Sequence, residues 1–294
     1  MKRKTIVITG CSSGFGRITS LTLAKQNWLV FATVRKDADR EQLLSAARES
    51  SCENNLRVLL CDITNAEQIT AMARQVEDLL SAENAEAATP HSPGLNALLN
   101  NAGTAFGGPI ELLSIADLRA QLELNVIAQV AVTQALLPLL KAAQGTLINV
   151  SSVGGRISTP MVGAYSASKY ALEAISDALR IELAPFDVHV VLIEPTASPT
   201  NIWQTSLDRA LPDMESHRTG PYARLLTVIE KVARRSSRSG FPSQLFADTV
   251  VKILATPKPR ARYVVPRSAV LQIALKQLLP DSLWDYLVRR TLKW

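Results

Sequence analysis

Tyr165 and Lys169 stand four positions apart in a segment otherwise rich in Ala, Ser and Leu. Residues i and i+4 share one face of a helix, so the phenol and the ammonium lie side by side. A positive charge next to a phenol stabilises the phenolate and lowers a pKa that starts near ~10. The result is a group able to give and take a proton. Taken alone, the same pair also reads as a surface pair on a helix, worth roughly 0.2–0.5 kcal/mol.

A second stretch with chemical potential is TGCSSGFG, residues 9–16, which follows an apolar run and opens a helical one. Gly10, Gly14 and Gly16 let the chain turn tightly and let a phosphate approach the backbone. The helix N-terminus behind them supplies N–H groups and positive dipole. Ser12, Ser13 and Phe15 fall inside the same loop. The next apolar run ends at Val34 and continues into Arg35 and Lys36. In a dinucleotide site this is where the adenosine ribose lands. An acidic residue there takes the 2′-hydroxyl of NAD, whereas Arg favours a 2′-phosphate. Arg35 therefore favours NADP(H), with Asp37 close enough to keep NAD(H) open.

These groups need a frame. Strand-length apolar runs recur at 6–9, 29–32, 58–61, 97–99, 146–150 and 189–193, with a further short one at 262–265. Between them lie stretches of helical period at 18–26, 66–80, 115–143 and 167–184. Strands alternating with helix-length segments predict βαβ units and a parallel sheet. Unbroken rather than alternating hydrophobicity predicts strands covered on both faces. The fold class is α/β, a doubly wound parallel sheet of Rossmann type in a single domain. Residues 1–265 are expected to form the dinucleotide-binding and catalytic domain. Residues 198–245, rich in Pro, Ser and Arg, read as a mobile loop-and-helix substrate cover. Residues 266–294 read as a C-terminal helical extension, and the polar segment 82–94 as a surface excursion.

Bulk properties narrow the function. The chain has 294 residues, a net charge of +6 and ordinary globular composition. Residues 1–217 carry 17 Lys and Arg against 22 Asp and Glu, whereas residues 218–294 carry 15 against 4. Such a concentrated basic tail suits an acidic partner or an anionic membrane surface, and argues against a general nucleic-acid binder. Three scattered cysteines and three scattered histidines have no metal-ligand spacing, so no metal site is expected, and a reduced cytoplasmic protein is. The opening MKRK before a four-residue apolar run lacks the features of a signal peptide. No run of about 18 uncharged apolar residues predicts a membrane-spanning helix. In the tail, Leu283, Trp284, Leu287, Val288 and Thr291 recur at helical spacing among Arg289, Arg290 and Lys293. That stripe fits core packing, a second subunit, or peripheral contact with a membrane.

Taken together, the motifs resemble the short-chain dehydrogenase/reductase family over residues 4–265. They occur in the family's order: TGxxxGxG at 9–16, NNAG at 100–103, a helix asparagine at Asn125, a serine at Ser152, and YxxxK at Tyr165 and Lys169. Within the family, TGCSSGFGR and VFATVR look most like enzymes acting on steroids, retinoids and other hydrophobic carbonyls or alcohols. The resemblance implies that Asp62, with Ile63 beside it, contacts the adenine, and that Asn101, Ala102 and Gly103 line the cofactor. It implies that Ser152, 13 positions before the tyrosine, holds the substrate oxygen. Tyr165 would pass the proton, Lys169 would bind the nicotinamide ribose and depress the tyrosine pKa, and Asn125 would anchor a proton-relaying water. Pro195 and Thr200 would flank the nicotinamide.

One departure stands out. The family's PGxxxT reads PTASPT here, and the β-branched Thr196 disfavours the positive φ a glycine permits. The expected activity is NADP(H)-dependent interconversion of an alcohol and a ketone or aldehyde on a hydrophobic molecule, by a homo-oligomer. A non-catalytic NADP(H)-responsive regulator, and an isomerase or dehydratase borrowing YxxxK, are the rivals. Leu112, Met161, Val162, Trp203, Tyr222, Leu225 and Leu226 are candidates for the substrate wall, or for simple packing of the cover.

Overall fold

The computed structural model describes residues 3–85, 94–200, 202–292 and 294, so most of the excursion at 82–94 lies outside the described residues. Seven strands are present: β1 (Thr5–Ile8), β2 (Leu29–Val34), β3 (Leu56–Leu60), β4 (Ala97–Asn100), β5 (Thr146–Val150), β6 (His189–Pro195) and β7 (Arg262–Val265). Helices α1 (Gly14–Lys25), α2 (Asp37–Glu49), α3 (Ala66–Ala85), α4 (Ile115–Leu122), α5 (Ala128–Ala142) and α6 (Gly163–Glu182) separate the first six strands. Then come α7 (Ile202–Met214), α8 (Ala223–Arg238) and α9 (Ser243–Ala255) before β7, and α10 (Val270–Leu278) and α11 (Asp281–Leu292) after it.

The strands form one sheet in the order β3-β2-β1-β4-β5-β6-β7, every pair parallel. Successive side chains feed opposite faces, as a two-residue period requires. Ile6 and Ile8, with Val30, Ala32 and Leu99, pack against Leu23 of α1, Leu43 of α2 and Phe246 and Val250 of α9. Val7, Leu29, Phe31 and Leu98 pack on the other side against Met72 and Val76 of α3 and Val132 and Leu136 of α5. Both faces are dry, which is why the strands read as continuous apolar runs. The chain winds outward from β1 to β3, then restarts at β4 and winds the other way. Loops leaving β1 and β4 therefore part at their carboxyl ends and leave a crevice there.

A buried polar ladder ties this centre together. Asn100 Nδ2 donates to Thr133 Oγ1 at 2.8 Å and to Asn149 Oδ1 at 3.0 Å, and Asn149 Nδ2 donates to Ser176 Oγ at 2.8 Å. Helix α5, strands β4 and β5, and helix α6 are thus linked side chain to side chain. Asn100 and Asn149 are directly paired in the sheet register.

Helices α4 and α5 run on through a π-helical turn, Glu123–Ile127. The joined helix Ile115–Ala142 is long and apolar enough to cross a membrane by length and composition alone, with a mean hydropathy of 1.4 over its most apolar stretch. Charged Asp117, Arg119 and Glu123 break up its first half, and its second half buries Val132, Leu136 and Leu140 completely against the sheet. It is a core helix. The cover is more regular than its composition suggests, being built largely from α7 and α8.

Candidate active site

The crevice at the carboxyl ends of β1 and β4 widens into a cleft of about 1370 Å³. Its floor is the glycine loop. Gly10 and Gly14 have φ of +72° and +56°, and a Cβ on Gly10 would sit 2.8 Å from the Cα of Ala102. Gly16 does not line the cleft. It lets α1 close up on the glycine loop's own backbone, since a Cβ there would overlap the Gly10 carbonyl oxygen and meet Asn101 Nδ2 at 2.6 Å. Asn101 in turn holds the loop in place, with Nδ2 donating to the carbonyls of Thr9 at 2.8 Å and Gly10 at 3.1 Å. Thr9 Oγ1 accepts from the backbone N–H groups of Asn101 and Ala102, both at 3.0 Å. Ser13 precedes α1 without capping it, and the first turn of α1 carries no acidic residue. That leaves a positive helix end facing the cleft beside Ser12 and Ser13. Phe15 also lines the cleft, and its ring stacks on Phe246 at 4.2 Å and Phe241 at 5.7 Å.

Farther along the cleft, Arg35, Asp62 and Ile63 line one end with Ala102 and Gly103. Among the described residues Arg35 makes no ion pair, whereas Asp37 engages Arg40 at 3.5 Å. One Asp62 carboxylate oxygen, Oδ1, accepts from the N–H and hydroxyl of Thr64 at 3.0 and 2.8 Å. Two glycines at positive φ, an uncapped helix end and an unengaged arginine fit a nicotinamide dinucleotide.

Ser152, Tyr165 and Lys169 meet in the middle of the same cleft. Ser152 leaves the end of β5 and its Oγ accepts from Gly154 N at 3.0 Å. Tyr165 lies in the first turn of α6 and is hydrogen-bonded to Ser152. Burial pushes its phenol above the ordinary value, and the bond to Ser152 works against that rise. Lys169 is also buried; its Nζ donates to Val150 O at 2.7 Å and sits 5.8 Å from the Tyr165 ring centroid. Burial brings the ammonium down to about 8, opposed by Glu173 one turn further on. This corrects the expectation of a tyrosine pKa depressed by Lys169. Both groups are nearly dry, and desolvation is the largest cause of the shift in each.

Asn125 lies behind the cleft rather than on its wall. It sits in the π-helical turn, fully buried. Its Oδ1 accepts from Thr104 N at 2.9 Å, and Nδ2 donates to Thr104 O at 2.9 Å and Ser168 Oγ at 3.0 Å. The side chain thereby fixes the segment after Gly103 against α6. Pro195 and Thr200 line the cleft as expected. At Thr196 the backbone stays out of the left-handed region, and its N–H donates to Val265 O at 2.8 Å. Pairing with β7 thus continues through the position where the family has glycine.

Most of the expected wall residues lie elsewhere. Met161, Leu225 and Leu226 join Met214 in a small core that seals the cover, with Tyr222 packed on it. Leu112 also lies off the wall, Val162 lines it, and the Trp203 side chain falls outside the described residues. The wall comes instead from Ile202 and Arg209 of α7, Val232 of α8, and Leu275, Trp284, Leu287 and Val288 of the two C-terminal helices. Arg209 stacks its guanidinium over Phe106 at 4.1 Å. A lone arginine in the cover gives no sequence signal of that placement. The sequence reading also missed a charge cluster behind Lys169, where Arg262 reaches Glu173 at 3.0 Å, Asp177 at 2.7 Å and Glu194 at 3.4 Å.

Known proteins resemble this chain in sequence and in fold. Residues 4–210 match the family model described as short chain dehydrogenase. The chain is 34% identical over 292 residues to an NADPH-dependent 3-dehydrocapnine reductase of Ornithobacterium rhinotracheale, covering 98% of this chain and 96% of that one. It is 32% identical over 291 residues to a 3-ketodihydrosphingosine reductase of Bacteroides thetaiotaomicron, with 98% of each covered. Among solved structures, a short-chain dehydrogenase from Streptomyces avermitilis superposes with a TM-score of 0.74 at 27% identity, covering 98% of this chain and 96% of the other.

Proposed function

Because the chain belongs to the short-chain dehydrogenase/reductase family and is an oxidoreductase, we propose that it reduces a hydrophobic ketone or aldehyde with NADPH, and runs the reverse oxidation with NADP. One observation carries the reading: Ser152, Tyr165 and Lys169 converge in the cleft whose floor is the glycine loop. Gly10, Ser12, Ser13 and Gly14 would cradle the pyrophosphate, Arg35 the 2′-phosphate, and Asp62 and Ile63 the adenine. Ala102 and Gly103 would line the dinucleotide, with Pro195 and Thr200 beside the nicotinamide. NADPH is preferred in this reading because Arg35 has no competing carboxylate among the described residues. One relative is also named for NADPH dependence.

When bound, the nicotinamide supplies the hydride. Ser152 Oγ and the Tyr165 hydroxyl would then hold the substrate oxygen, donating to it as negative charge grows there. Burial favours the neutral phenol of Tyr165 over the phenolate, which suits a proton donor in reduction. Lys169 would place positive charge beneath the tyrosine and reach the nicotinamide ribose, and Asn125 would act by positioning the Thr104 segment. The apolar wall from Ile202 to Val288 supports a hydrophobic substrate. The two relatives are named for reducing a 3-dehydro and a 3-keto compound, and the apolar wall favours apolar ones, so apolar 3-keto compounds belong first in the panel.

Two further elements complete the proposal. The three cysteines are free and buried, which suits a reducing compartment such as the cytoplasm. Exposed Ile127 and Ile181, on the long helices of the α4–α6 layer, suit self-association into a homo-oligomer.

The test follows the absorbance of the reduced nicotinamide with steroid, retinoid, 3-keto lipid and small polar carbonyls, using wild type and Tyr165→Phe. Turnover of apolar carbonyls by wild type, lost by a factor of about 10²–10⁴ in the variant, is expected. Equal turnover by both proteins would overturn the role of Tyr165.

A further inference from the structure

The two C-terminal helices each present two apolar faces, and only one is used by the cleft. Leu275 of α10 and Trp284, Leu287 and Val288 of α11 line the cleft. On the outside, Leu271 and Leu278 of α10 are 75% and 82% exposed, and Leu283 and Tyr286 of α11 are 43% and 56% exposed. Leu275 and Leu287 belong to both sets, since they line the cleft and are still 47% and 38% exposed. Leu271, Leu275 and Leu278 recur at i, i+4 and i+7, so one helix face carries apolar surface from the outside to the cleft rim. Eight of the seventeen exposed large hydrophobic side chains among the described residues fall within 270–294.

Positive charge outweighs negative around this apolar surface, where Lys276, Arg289 and Arg290 stand with Asp281 and Asp285. Residues 218–294 carry 15 Lys and Arg against 4 Asp and Glu, while the rest of the chain is net negative. Arg267, Arg289 and Arg290 are exposed on this segment, and Lys231 and Arg234 on α8, beside cleft-lining Val232. Among the described residues Arg267, Arg289 and Arg290 have no acidic partner. Amphipathic helices with exposed leucines and flanking arginines bind the headgroup boundary of anionic bilayers, the leucines entering the acyl region and the arginines meeting the phosphates.

We propose that α10 and α11 dock this protein on an anionic membrane surface, with the mouth of the cleft facing the lipid. An apolar substrate dissolved in the bilayer would pass over Leu275 and Leu287 into the cleft without crossing water. The delivery role rests on the reductase reading above, whereas the docking surface does not, and its test reads binding rather than turnover.

The experiment is cosedimentation of the full chain with vesicles of phosphatidylcholine alone and with about 30% phosphatidylserine, at low salt and at about 0.5 M salt. Leu271→Glu/Leu278→Glu and Arg289→Glu/Arg290→Glu are compared with wild type, with circular dichroism and turnover of a soluble carbonyl as controls for folding. These four side chains lie off the cleft wall, so soluble turnover should persist. Expected is at least about tenfold stronger partitioning into the anionic vesicles, lost in both variants and at high salt. Absence of wild-type binding, equal binding to both vesicle types, or unimpaired binding by both variants would overturn the proposal. So would a wild-type dimer that Leu271→Glu/Leu278→Glu converts to monomer while no vesicle binding is seen, since a second copy would then be the occupant.

Discussion

Replacing Lys169 by Met should make the protein more stable at neutral pH while removing its activity. The ammonium is 5% exposed, and burial takes its pKa from the ordinary 10.5 down to about 8. That drop corresponds to about 3 kcal/mol held against the folded state wherever the group is charged in both states. Met fills similar volume without charge. It forfeits the bond to Val150 O, at 2.7 Å in the wild type, which costs about 1 kcal/mol. A net gain of about 1–2 kcal/mol at pH 7 follows. The pH dependence gives a sharper signature. Below about 8 the wild-type penalty is present in full. Between about 8 and 10.5 the unfolded chain holds a proton that the folded chain has released, so wild-type stability rises with pH. Above 10.5 the penalty has vanished, and only the lost bond separates the two proteins. Lys169→Met should therefore be the more stable protein at pH 7 and the less stable one above pH 10.5. Urea unfolding at a series of pH values, with carbonyl reduction measured alongside, tests this. A variant less stable than wild type at pH 7, or a stability difference that does not change with pH, would refute the reasoning.

Arg35→Ala should raise the KM for NADPH roughly 10–100-fold and leave that for NADH nearly unchanged, since a charged hydrogen bond is worth about 1.5–3 kcal/mol; steady-state kinetics with both cofactors check it. Gly16→Ala forces a Cβ onto the backbone carbonyl of Gly10 and against Asn101 Nδ2. Overpacking of about 1–3 kcal/mol should lower the melting temperature by about 3–10 °C and weaken NADPH binding, as read by thermal unfolding and nucleotide fluorescence. Glu173→Gln removes the carboxylate that holds the Lys169 ammonium up, so the Lys169 pKa should fall further and the alkaline rise in stability should begin below pH 8. The same urea series reads that shift, and Arg262 keeps Asp177 and Glu194 as partners.

The order of strands and helices was legible because the central strands β1, β2 and β4 are dry on both faces, and the helices packed on the sheet each bury one stripe. Ser152, Tyr165 and the glycine loop were legible because the chemistry constrains residue type and spacing within short segments. What escaped the sequence depends on where distant segments meet. Met161 and Leu225 are apolar and lie in or near the cover, as a substrate wall requires, yet they pack on each other. The stripe on α11 is divided between cleft and exterior, and helical period alone cannot distinguish those two environments. The electrostatics of Lys169 depend on how dry its surroundings are, a property of the whole packed core. The Arg262 cluster joins residues 89 and 85 positions apart in the chain.

The ladder from Thr133 through Asn100 and Asn149 to Ser176 bears on how this molecule tolerates change. Sliding α6 by a turn, or β5 by a residue, would strand several buried amide and hydroxyl groups at once, each a loss of about 1–3 kcal/mol. The spacing between the segment that carries Ser152 and the one that carries Tyr165 is therefore locked from beneath. The cover and the tail helices contribute no rung to that ladder. New substrate ranges are accordingly most accessible by exchanging cover and tail on an untouched frame, whereas libraries aimed at the sheet centre should return mostly unfolded chains.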